Sequence, residues 1–110
     1  MDGLKRIRKA DARIFFEGKE LCREYVATGK ITFGTSQLPP GEAGAVDPGH
    51  AEAHEVFFVV AGRVVMSNEK GLFVELEPGD ALLVTENVPH KIYNISDETA
   101  VLSWSCAPKP

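Results

Sequence analysis

Long hydrophobic runs are missing from this chain. No segment approaches the ~20 apolar residues that a spanning helix needs, so an integral membrane protein is not expected. Positive charge is also in deficit, with 12 Lys and Arg against 16 Asp and Glu and a net charge of −4. That balance opposes a nucleic-acid footprint, which needs a coherent basic surface. The one basic cluster, Lys5-Arg6-Arg8-Lys9, carries no interleaved aromatics and reads as a solvated face of an N-terminal arm over 1–11. Cysteine is scarce. Cys22 and Cys106 fit neither a zinc knuckle nor a Cys-x-x-Cys motif, and read as small buried hydrophobes kept reduced. The first residues lack the apolar core of a signal peptide, so a cytoplasmic protein is the expectation.

Helical periodicity is weak throughout; the one segment with any helical character is near Leu4–Ala10. What the chain has instead is short β-branched and aromatic runs between Gly, Pro, Asn and Asp. Nine strands are predicted, over 12–17, 21–27, 30–37, 55–60, 63–67, 72–76, 81–85, 91–94 and 100–105. Thr28-Gly29 reads as a hairpin turn. Glu77-Pro78-Gly79-Asp80 has the Pro-Gly centre of a type II turn. The Gly/Pro-rich stretch from Pro39 to Gly49 cannot continue a ladder and reads as a functional loop. With 110 residues the chain holds one core, so residues 12–110 form a single all-β sandwich or barrel domain.

Both faces of Glu55–Val60 are apolar. One face fills the barrel, and the other must meet a second sheet or another subunit, with a homodimer preferred. Phe15, Phe16, Phe57, Phe58, Phe73 and Trp104 are assigned to core and interface. Glu52, Arg63 and Glu86 are candidate substrate contacts, and Tyr93 and Trp104 are candidates for the neighbourhood of the pocket.

Only three histidines occur, His50, His54 and His90. Two lie just before the strongest strand and the third follows the second Pro/Gly-containing turn region, so a barrel could bring them to one mouth. Imidazole and carboxylate groups meeting there suit a first-row divalent ion.

At these residues the chain resembles the cupin family. The family's first motif runs Gly, five residues, His, any residue, His, three or four residues, Glu, six residues, Gly. Its second half is reproduced by His50, Glu55 and Gly62. The second motif runs Gly, five residues, Pro, any residue, Gly, two residues, His, three residues, Asn. Gly79, His90 and Asn94 keep that spacing, with Thr85 and Asn87 replacing Pro and Gly. The resemblance covers Pro39 to Asn94 and implies a double-stranded β-helix, a jelly-roll-like barrel.

It also implies a divalent metal ion, among Mn, Fe, Zn and Ni, held by His50, Glu55 and His90. The family's first histidine falls at Pro48, which has no side-chain donor; Asp47 beside it is a candidate substitute. His54 is an alternative ligand. In an extended strand it points opposite to Glu55, so both could ligate only across a bend or bulge. For Glu55 the structural alternative is a carboxylate paired with Arg63 or a lysine. Two functions stay open at this point. One is a metal-dependent enzyme of oxygenase, isomerase, decarboxylase or lyase type acting on a small polar molecule inside the barrel. The other is a non-catalytic small-molecule or sugar-binding module with a degenerate metal site.

Overall fold

The computed structural model describes residues 3–108. Nine strands follow in chain order: β1 Arg13–Glu17, β2 Glu20–Ala27, β3 Thr32–Leu38, β4 His54–Ala61, β5 Val64–Ser67, β6 Phe73–Leu76, β7 Ala81–Val84, β8 Lys91–Asn94 and β9 Ala100–Ala107. They pair, all antiparallel, into a six-stranded sheet of order β1-β2-β3-β9-β4-β7 and a three-stranded sheet of order β6-β5-β8. The predicted all-β double-stranded β-helix is the observed architecture. The only helical element among the described residues is a single 3-10 turn at Lys9–Asp11.

Turn chemistry sets the strand boundaries. Asp80 N–H donates to the Glu77 carbonyl at 3.0 Å, and Gly79 takes φ +94°, as the Pro-Gly turn requires. The loop after β3 does more than connect. Gly44 N–H donates to Ile92 O at 3.0 Å, and Asp47 and His90 exchange backbone hydrogen bonds of 2.8 and 2.9 Å. Residues 42–47 therefore run beside β8 and cover the edge of the small sheet, which local proline content did not announce.

Strict alternation organises β4: His54, Val56, Phe58 and Val60 are exposed while Glu55, Phe57 and Val59 are buried. The inward residues meet Leu38, Val64 and Leu102, all fully buried, and each such side chain contributes about 1.5–3 kcal/mol of burial free energy. Gly34 is the close-approach position, since a Cβ there would lie 2.3 Å from the Trp104 ring. The aromatics divide. Phe57 and Trp104 are buried, Phe15 packs edge-on to Trp104 at 6.5 Å, and Phe16, Phe58 and Phe73 stay exposed. A core role for those last three is thus corrected, because each points away from the space between the sheets.

Candidate metal centre

Between the sheets lies a cavity of about 250 Å³. Its walls mix apolar groups (Phe57, Met66, Ile92, Trp104) with five carboxylates (Glu17, Glu20, Glu24, Asp47 and Glu55). Glu55 reaches it because of its phase in β4. His90 reaches it from the position just before β8, where it bridges to the loop residue Asp47.

The His90 ring is held on three sides. Phe57 packs edge-on at 5.6 Å, and Nδ1 lies 2.9 Å from the Val88 carbonyl. A carbonyl can only accept, so Nδ1 carries the proton of that bond, and in neutral imidazole Nε2 is a bare lone pair. That lone pair faces Glu55 Oε1 at 3.1 Å. Both atoms are buried and lack a hydrogen-bond partner. Two facing lone pairs without water repel unless a proton or a cation comes between them. A proton on Nε2 meets that need. Burial alone lowers the His90 pKa, but the contact with Glu55, the Val88 bond and the charge of Asp47 outweigh it and push the value up to about 9.

His50 Nε2 lies 3.4 Å from the same Glu55 oxygen. Its loop is tied down where Asn87 N–H donates to His50 O at 2.9 Å. Gly49 permits that approach, as a Cβ there would sit 2.7 Å from Val88 O, and its φ of +91° suits glycine. Asn87 takes φ +59° at the position where the cupin motif has glycine, a conformation that asparagine tolerates better than other residues. The three residues implied by the motifs thus meet at Glu55 Oε1.

Two overlapping donor sets share Glu55: His50, Glu55 and Cys106, and Asp47, Glu55 and His90, with the donor atoms of each set within 4.8 Å of one another. Imidazole and carboxylate donors with buried, unpartnered lone pairs fit a divalent cation.

His54 does not join them. It lies on the outer face of β4, half-exposed, and pairs with Glu86, so its candidacy as a ligand is corrected by strand alternation without a bulge at that point. Glu86 is thereby engaged outside the cavity, and Glu52 is exposed and absent from the cavity wall. Arg63 is bound to Glu75, leaving Glu55 without the basic partner considered for it. Pro48 is exposed, while the Asp47 carboxylate beside it places Oδ2 3.7 Å from His90 Nε2 and accepts the Gly49 N–H on Oδ1 at 2.9 Å. Trp104 lines the cavity and Tyr93 does not.

Sequence reasoning missed the acidic wall from β1 and β2. Glu20 is buried and accepts a short hydrogen bond from Ser36, whose hydroxyl accepts the Trp104 indole N–H at 3.0 Å. Burial raises the Glu20 pKa despite the Ser36 bond. Burial, then the charges of Glu20, Asp47 and Glu55, push Glu17 up to about 7. The available signal was phase: Glu20 is in step with buried Cys22, and Cys106 with Leu102 and Trp104.

Likeness to known proteins agrees with this fold. A predicted oxalate decarboxylase from Thermotoga maritima is 16% identical over 94% of this chain and 99% of that one, with TM-score 0.80. An uncharacterized protein with a double-stranded β-helix domain from Klebsiella pneumoniae is 19% identical over 96% and 92%, with TM-score 0.81. Fe(II) HppE is 19% identical over 96% of this chain and 61% of that one, with TM-score 0.82. At such identities the likeness carries the fold alone. Among curated proteins nothing matches. The family model described as "Cupin domain" matches residues 34–106, which run from β3 to β9 and include every donor around Glu55. The chain belongs to the cupin domain family.

Proposed function

We propose that this protein is a metal-dependent cupin enzyme that binds one divalent ion through His50, Glu55 and His90 and acts on a small polar molecule in the cavity. The observation that carries the reading is the pair of buried, unpartnered lone pairs on Glu55 Oε1 and His90 Nε2, facing each other at 3.1 Å. The second nitrogen of His90 is committed to a backbone carbonyl, the arrangement that fixes the tautomer of metal-binding histidines. An ion bound there supplies a Lewis acid that polarises an oxygen of the ligand.

The protein's own groups do the rest. Phe57, Ile92 and Trp104 form an apolar wall that limits water, which strengthens every charge interaction inside. Glu17, with a pKa near 7, is poised to hold or release a proton close to neutral pH. The volume of about 250 Å³ lies just below the usual range of ligand pockets, which restricts the substrate to a small molecule. The decisive measurement is metal content of the purified full chain after growth with Mn, Fe, Zn and Ni supplied. One tightly held equivalent is expected; a chain that retains none of these ions overturns the reading.

The same proposal includes a second copy of the chain on the outer face of the large sheet. Phe33, Ser105, Val56 and Leu83 lie opposite one another in register across β3, β9, β4 and β7, and Phe58 and Val60 continue the exposed apolar band. Sedimentation equilibrium is expected to give a dimer that Val56→Lys splits; a monomer at every concentration removes this part of the proposal.

A further inference from the structure

Cys106 is directly opposite Glu55 in the β4–β9 ladder. Residues opposite each other in an antiparallel pair project to the same face with their Cβ atoms about 4.5–5.5 Å apart. Both therefore enter the cavity, where Sγ of Cys106 lies within 4.8 Å of the donor atoms of both Glu55 and His50. Cys106 is 2% exposed. The independent sign that a ligand belongs here is Glu55 Oε1, on a residue 5% exposed, aimed into this cluster with no hydrogen-bond partner.

We propose that Cys106 is a thiolate ligand of the ion, completing a mixed set of sulfur, imidazole and carboxylate donors with His50 and Glu55. The inference rests on the metal site proposed above and adds to it a donor of different chemistry. On binding, the S–H bond gives up its proton to solvent and the sulfur lone pair goes to the cation. A thiolate is soft. It favours Zn²⁺ and Fe²⁺ and works against Mn²⁺, which prefers oxygen donors, so the sulfur narrows the ion class this cavity accepts.

Cobalt(II) reports the sulfur directly, because a thiolate bound to it produces a sulfur-to-metal charge-transfer absorption in the near ultraviolet that oxygen and nitrogen donors do not. Titration of Co²⁺ into the metal-free full chain is expected to develop this band to saturation at one equivalent. The chain has two cysteines, so Cys22→Ser keeps the band and Cys106→Ser loses it. Zn²⁺ affinity of Cys106→Ser is expected to fall by at least the roughly 10- to 100-fold that loss of an outer supporting partner costs, with little change for Mn²⁺. If Cys106→Ser does not fold, a band that survives Cys22→Ser still assigns the sulfur. Cobalt bound without the band, or a band that disappears in Cys22→Ser, overturns the Cys106 assignment and leaves the metal site standing. No cobalt bound at all overturns both.

Discussion

If Glu55 and His90 hold the ion as proposed, Glu55→Gln and His90→Ala are each expected to lower its affinity by more than about 100-fold, beyond the range seen for outer supporting groups, whereas His54→Ala is expected to leave it unchanged. The contrast follows from strand phase. Glu55 and His90 are 5% and 4% exposed and share a contact inside the barrel; His54 is on the outer face, paired with Glu86. Glu55→Gln is the sharper variant because it keeps the shape and removes the charge. Its amide N–H can donate to the bare Nε2 of His90, which relieves the facing lone pairs that the wild-type chain must neutralise with a proton. The variant is therefore expected to stay folded when metal-free while failing to gain stability from added Zn²⁺. Equilibrium dialysis and thermal unfolding with and without the ion read both effects. Full retention of the ion in Glu55→Gln together with its loss in His54→Ala would reverse the ligand assignment.

The second large effect is a change of sign with pH. His90 has its folded pKa raised from 6.5 to about 9, so the protonated form is favoured by folding. Stability from this group is fully present below the unfolded value and is lost as pH rises through about 9. At 1.36 kcal/mol per unit this amounts to on the order of 3 kcal/mol for a side chain that is almost entirely buried. Glu17 acts in the same direction at lower pH. Its carboxyl is raised from 4.5 to about 7, so folding favours the neutral acid and stability falls as pH rises through that window. The metal-free chain should therefore become steadily less stable from about pH 5 to about pH 9.

With an ion bound the slope reverses. The ligands must then be deprotonated, protons compete with the cation, and stability rises with pH. Melting temperatures across this range, in chelator and in excess Zn²⁺, should give two curves of opposite slope. His90→Ala should flatten the alkaline half of the metal-free curve. A metal-free chain that grows more stable toward pH 9 would show that the His90–Glu55 contact does not hold a proton as described.

Nearly all of the strand content was legible in the residues. Alternation and turn chemistry are local, so Glu55–Val60, the Pro78-Gly79 turn and the two termini of β8 could be read without a partner strand. Alternation showed that only one of the adjacent pair His54-Glu55 can face the core, but with both faces of the strand apolar it was the structure that turned Glu55 inward. The acidic lining was legible only in the phase of Glu20 with Cys22, because Glu17 and Glu20 sit around a tight turn whose packing against residues 43–45 comes from long-range hydrogen bonds. Nor was the role of the proline-rich loop as an edge cover for β8.

By itself, then, the chain determined its nine strands and its cupin motif spacing. Tertiary structure alone decided that Cys106 stands across from Glu55, that Asp47 enters beside Pro48, and that Glu17 and Glu20 complete the wall. The physical reason is sequence distance. Phase along one strand follows from backbone geometry, but which strand lies next to which is set by closure of the whole barrel, and β9 reaches β4 only after every other strand has been laid down.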